Sequence, residues 1–186
     1  YEQTHAVLVG CWAHARRRFI DAQRIQVKGK KGRADLAVSQ IQKLYRIEAL
    51  LNGESAQKKY AVRQEDARPL LNEFREWLDN AATRVSPKTK LGEAISYTLN
   101  QWEKLIRYID DGLLSIDNNR AERAVKPFVI GRKNWLFSAS TQGAQSSAML
   151  YSIIETAKAN GLVPYDYIAH CLDHLCRNPD DIEPIL

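Results

Sequence analysis

Apolar residues follow two rhythms along this chain, and the change between them marks its elements. From His5 to Trp12 the run His-Ala-Val-Leu-Val-Gly-Cys-Trp is nearly continuous and partly β-branched, which predicts a short buried strand. From Ala13 to about Val27 the spacing becomes helical, with Ala15, Phe19 and Ala22 on one side and Arg16, Arg17, Arg18 and Arg24 over the rest. Residues 34 to about 109 read as wholly helical. Leu36, Ile41, Leu44, Tyr45 and Leu51 form one apolar stripe, and Leu91, Ile95, Leu99, Trp102, Leu105, Ile106 and Ile109 form another. Both stripes are core faces. Breaks are expected at Asn52-Gly53, at Pro69 and at Ser86-Pro87, where Pro87 suits the first position of a helix capped by Ser86.

The second half is less regular. Leu113 to Ile116 is too short to separate a strand from an extended lead-in. Asp117 and Asn118 carry short side chains that accept from free N–H groups, so a helix containing Glu122 is predicted to start there. Pro127 and Gly131 are expected to interrupt it, leaving Phe128–Ile130 and Asn134–Phe137 as short extended pieces. Ser146 to Asn160 predicts a helix with Met149, Ile153, Ile154 and Ala157 inward and Gly161 as its C-terminal cap. A last helix is expected from about Tyr165 to Cys176, with Pro179 and Pro184 ending regular structure.

Charge adds a polarity to this pattern. The 186 residues carry a net charge of +5, and a 45% hydrophobic content excludes wholesale disorder. Residues 1–33 hold eight Lys or Arg against two acids, whereas residues 170–186 hold one Arg against four acids. That asymmetry points to a nucleic-acid face on one side, against the plainer alternative of a solvated basic surface. Lys28-Gly-Lys-Lys-Gly-Arg33 reads equally as an exposed linker or as a phosphate-contacting arm. Three cysteines, no signal-peptide pattern and no long apolar run predict a reducing cytoplasm and no membrane span. A chain that begins with Tyr1 is expected to be an excised domain, a fragment of a longer frame or a truncated gene product.

The most informative stretch is Gly112 to Phe137, where Glu122 sits among Arg120, Arg123, Lys126, Arg132 and Lys133. Two acids against five bases make it a natural partner for an anion. Asp117-Asn-Asn119, Glu122-Arg123 and Gly131-Arg-Lys-Asn-Trp-Leu-Phe137 together resemble the C-terminal part of insertion-sequence 66 transposases. Val9-Gly-Cys-Trp-Ala-His-Ala-Arg-Arg-Arg-Phe19 and Tyr151-Ser-Ile-Ile-Glu-Thr-Ala-Lys-Ala-Asn-Gly161, with Pro164 and Tyr167, resemble the same family in the same order.

The resemblance implies a fold that is mainly α with a little β, a partial RNase H-like core carrying a helical insertion. Residues 1–33 would end that core, 34–110 would be the insertion, and 111–186 would bring the Glu-bearing helix and the C-terminal helices. It also implies a DDE-type enzyme, in which two Asp and one Glu hold two Mg²⁺ ions for DNA strand cleavage and transfer. Glu122 matches the Glu, and both Asp would lie before Tyr1, so these residues alone are expected to be inactive. Double-stranded DNA and a homo-oligomer on DNA are the implied partners.

Arg16, Arg17, Arg18, Arg120, Arg123, Lys126, Arg132 and Lys133 are then the expected phosphate contacts. Asn134 and Trp135 would add a hydrogen bond and a stacking surface at an unpaired end, with core packing the alternative for Trp135. By spacing alone, Glu122 also suits an intrahelical pair with Lys126. Asp117 suits a cap better than a metal ligand. Cys11-x-x-His14 and His170-Cys171-x-x-His174-x-Cys176 hold zinc-ligand types, but two distant pairs would have to meet, and zinc is not expected. Two other classes compete with the enzyme. One is a catalytically incomplete DNA-binding or oligomerisation module from a truncated element; the other is a structural helical protein with a solvated basic surface.

Overall fold

A computed structural model describes residues 7–25, 32–135 and 138–179, the side chains of Asn134 and Trp135 excepted. Its helices are α1 (Trp12–Arg24), α2 (Arg33–Leu50), α3 (Ala56–Val62), α4 (Arg68–Ala82), α5 (Lys90–Asn100), α6 (Trp102–Ile106), α7 (Asn119–Trp135), α8 (Thr141–Ala159) and α9 (Pro164–Arg177). A π-helical turn, Arg63–Ala67, joins α3 to α4, and a 3₁₀ turn, Arg107–Asp110, follows α6. The chain forms two compact units, residues 1–119 and 120–186.

In the first unit α1 packs against α2 and α5, and α4 packs against α2 and α5. Trp12, Ala15, Phe19 and Ala22 of α1 are all buried, which is the face its helical spacing predicts. Trp12, Ala15 and Phe19 share one core cluster with Ile41 and Leu44 of α2, Leu71, Phe74 and Leu78 of α4, and Ile95 of α5. Phe74 is the centre of the aromatic packing. Its ring centroid lies 6.1 Å from Trp12, 6.2 Å from Phe19, 5.7 Å from Trp77 and 6.3 Å from Trp102. The buried indole N–H of Trp12 donates to the Leu105 carbonyl at 2.8 Å, so the ring enters the core with its polar atom satisfied.

The expected strand does not form, and there is no strand among the described residues. This overturns the little β and, with it, the partial RNase H-like core, which is built around a sheet. The described part of the apolar run, Val7 to Cys11, lies along the helices without a ladder. The Gly10 N–H donates to the Lys104 carbonyl at 2.7 Å and the Trp12 N–H to the Ile116 carbonyl at 3.1 Å, both acceptors lying outside any strand. Val7 and Leu8 are 71% and 63% exposed, so apolar content here does not signal burial. His5, Val27, Lys28 to Lys31, Phe137 and Pro184 lie outside the described residues.

Other breaks shift. The chain stays helical through Pro69, because the π-helical turn just before it opens the backbone where the proline has no N–H to give. α5 is capped by Thr89, whose Oγ1 accepts from the Gly92 N–H at 3.0 Å, and Pro87 lies in the turn before it. α7 runs straight through Pro127 and Gly131, so the two expected extended pieces are helical as far as Trp135.

In the second unit α8 begins at Thr141 under a Ser140 cap, ahead of the predicted Ser146. Its end matches the prediction. Gly161 has φ +75°, the Leu162 N–H reaches the Ala157 carbonyl at 3.0 Å, and the Gly161 N–H reaches Lys158 at 3.1 Å. Of the four residues expected inward, Ala157 is buried, whereas Met149 is 59% exposed and Ile153 37%. Among the described residues no helix is long and apolar enough to cross a membrane.

Candidate nucleic-acid interface

The residues leading into α7 close the first unit. Asp117 Oδ1 accepts from the Asn119 backbone N–H at 3.1 Å, and its Oδ2 accepts from Asn119 Nδ2 at 2.7 Å and from the Tyr45 hydroxyl at 2.9 Å. The first contact is the two-residue loop-back that Asp favours before a helix, and it satisfies an N–H of the first turn. Beside it the Asn118 N–H donates to Cys11 Sγ at 3.4 Å. Burial, and then the hydrogen bond to Asp117, push the Tyr45 phenol above its ordinary range.

Every cation of the Gly112–Phe137 stretch lies on α7. Glu122 and the side chains of Arg120, Arg123, Lys126, Arg132 and Lys133 are all exposed. At 3.6 residues per turn, Glu122, Lys126 and Lys133 share one face, with Arg123 beside them, while Arg120 and Arg132 point elsewhere. Glu122 is the single acid of the helix. On the other side of α7, Arg120, Ala124 and Phe128 face α8 across a groove of about 510 Å³. Phe128 meets Tyr151 edge-on there, at 5.3 Å between centroids. Asn134 and Trp135 fall in the last turn of α7.

The arginine run of α1 splits between two surroundings. Arg16 and Arg17 line a groove of about 640 Å³ between α1 and α2, together with Ala13, Ile20, Asp21, Arg24, Gln42, Tyr45 and Asn119. Arg18 turns the other way, with its guanidinium carbon 4.1 Å from the centre of the Tyr97 ring on α5. Arg24 was not among the residues expected to act, although it lies eight positions after Arg16 and so on the same helical face. That spacing was the available signal.

On α9 the rings of His170 and His174 lie 6.5 Å apart between centroids. Within the described residues of that unit, His170, Cys171, His174 and Cys176 do not bring three ligand atoms together. Cys11, Cys171 and Cys176 are free thiols.

Sequence reasoning also missed a residue that shapes the approach to α7. Arg63, in the π-helical turn, is 2% exposed and pairs in a fork with Glu48, Nε to Oε1 at 2.8 Å and Nη2 to Oε2 at 2.7 Å. It also donates to the carbonyls of Tyr108, Asp111 and Leu114 at 2.8, 2.9 and 3.0 Å. One guanidinium therefore holds the loop from the 3₁₀ turn toward Asp117. An arginine within a polar run carries no pattern that announces burial.

The model of the Transposase IS66 family matches residues 1–146, which include both basic surfaces and Glu122, and that of the IS66 C-terminal element matches residues 152–186. The chain belongs to the IS66 transposase family. It is 35% identical to the uncharacterized protein y4hP of Sinorhizobium fredii, over 91% of this chain and 32% of that protein. It is also 34% identical to y4jD of the same organism, over 96% of this chain and 34% of that protein. The IS66 chain thus spans about a third of the length of these curated relatives. No solved structure matches it.

Proposed function

We propose that this IS66 chain is part of a DDE-type transposase that cuts double-stranded DNA at the ends of a mobile element and joins it to a target. The carrying observation is the exposed α7 of a family member, with one carboxylate, Glu122, on a face shared with Lys126 and Lys133. Water would attack in line for cleavage and a DNA 3′-hydroxyl for joining. Glu122 is a hard oxygen donor of the kind Mg²⁺ takes, but one acid does not hold two ions, so the remaining carboxylates come from elsewhere in the transposase. When bound, Mg²⁺ would activate the attacking oxygen and stabilise the leaving one.

The chain's own cations supply the rest. Arg120, Arg123, Lys126, Arg132 and Lys133 hold phosphates without reading sequence, and Arg16 and Arg17 add contacts from α1. The enzyme would work as a homo-oligomer in the cytoplasm, where its cysteines remain thiols. In the complete protein, Glu122→Gln should lower strand cleavage by about 100-fold or more, because even outer-shell partners of a metal are worth about 10–100-fold. Binding of element-end DNA should persist. Cleavage at the parent rate in that variant would refute Glu122 as a metal ligand.

A further inference from the structure

We infer that the groove between α1 and α2 is a dedicated subsite for one nucleotide unit of a DNA strand, gripped at its phosphodiester by Arg16 and Arg17. This rests on the reading of the protein as DNA-binding and adds to it a place and a ligand. Four observations carry it.

Size comes first, since about 640 Å³ falls within the range of clefts that hold a discrete ligand and exceeds what a bare anion fills. Charge comes second. Three guanidinium groups, Arg16, Arg17 and Arg24, line the groove against one carboxylate, Asp21, which already pairs with Arg24 at 3.3 Å. That leaves Arg16 and Arg17 as the cations with no acid against them among the described residues that line the groove.

Third, Arg16 is held in place and incompletely satisfied. Its Nη2 donates to Gln42 Oε1 at 3.3 Å, while its Nε is enclosed without a hydrogen-bond partner among the described residues. Enclosed donors in folded proteins are nearly always paired, so the orphan Nε leaves this guanidinium with hydrogen-bonding capacity that its described neighbours do not use. The guanidinium fork matches two phosphate oxygens, which an ammonium does not. Fourth, polar groups from a second helix complete the lining. Tyr45, bonded to Asp117, and Gln42 line it from α2, and Asn119 lines it from the start of α7. Arg18, turned onto Tyr97, is left out of the site.

The test measures binding of a short fluorescent duplex to the parent, Arg16→Gln, Arg17→Gln and Arg16→Lys across a salt series. Lys58→Gln serves as a control that removes one exposed positive charge paired with Glu54. Arg16→Gln and Arg17→Gln should each weaken binding about tenfold at fixed salt and reduce the slope of log K against log salt by about 0.9, the loss of one phosphate contact. Arg16→Lys should keep the slope and lose most of the affinity, because it retains charge without the fork. Lys58→Gln should change affinity less than about twofold.

Thermal melts in sodium phosphate provide the second arm. If phosphate stabilises the parent and not Arg16→Gln, while both bind duplex equally, the groove takes free phosphate and the inference fails. Equal duplex affinity and slope in all variants also overturns it, with the DNA reading intact. A parent with no salt-dependent duplex binding overturns both. Arg17 is exposed, so its variant reports on the groove even if Arg16→Gln unfolds.

Discussion

Replacing Arg63 by methionine should be among the most damaging single changes in the first unit, and the size of the effect follows from its surroundings. The guanidinium is 2% exposed and Glu48 15%, and five hydrogen bonds leave it for Glu48 and three carbonyls. Removing the cation strands a mostly buried carboxylate and three acceptors, whereas methionine fills much of the vacated volume. Loss of one partner of a buried pair costs about 3–5 kcal/mol. For a chain of this length that corresponds to a fall in melting temperature of about 6–20 °C. Lys90→Met offers the contrast: its pair with Glu93 is exposed on both sides, and such pairs are worth about 0–1 kcal/mol. Arg63→Lys should fall between the two, since three donors cannot reproduce five bonds. Far-UV circular dichroism melts and urea titrations of the three variants provide the measurement. A loss below about 1 kcal/mol for Arg63→Met would refute the reasoning, because it would mean that water or a rearranged loop satisfies Glu48 without the guanidinium.

Two further outcomes are expected. Tyr45 and Tyr108 both have phenols raised above their ordinary range, chiefly by burial. Such a group keeps its proton in the fold while the unfolded chain loses it above about pH 10, so stability is full below that pH and falls as pH rises further. Tyr45→Phe should cost about 1 kcal/mol at neutral pH by deleting the bond to Asp117, and should flatten the alkaline loss; an unchanged profile from pH 9 to 11 would count against it. Gly112→Ala should destabilise by about 1–3 kcal/mol, because an added methyl would run into the backbone of Ala56; a urea midpoint equal to the parent's would show that the contact gives way freely.

Much of the helical organisation was legible because it depends on spacing. The buried face of α1, the Gly161 cap and most of the two stripes, Ile41, Leu44 and Leu51 in one and Ile95, Trp102, Leu105 and Ile109 in the other, follow from local periodicity or from one residue's backbone freedom, whereas Leu36, expected in the core, is 42% exposed. Asp117 was readable for a similar reason, since its contact to Asn119 spans two positions. What depends on remote partners was not. Val7 to Val9 have the composition of a strand, yet no described residue beside them forms a ladder with them, and burial cannot be read from apolarity alone. Pro127 and Gly131 carry strong local signals against a helix, but α7 continues through both. Arg63 and Glu48 lie 15 positions apart on separate helices, and their pairing leaves no trace in either segment's rhythm. For the proposed site, Arg16 and Arg17 were visible as charge, while Gln42 and Tyr45 come from another helix and only the fold brings them to the groove.

The π-helical turn Arg63–Ala67 amounts to one residue more than an α-helix would use over the same rise. An unbroken α-helix would turn everything after Ala67 by about 100° relative to α3, and Leu71, Phe74 and Leu78 would rotate away from Trp12 and Phe19. The surplus residue thus acts as a phase adjustment between two stretches of one rod, aiming Arg63 at the loop before α7 and Phe74 at the aromatic centre. Deleting Glu65 or Asp66, the exposed residues of the turn, removes both alignments at once, although no side chain of the core has been touched.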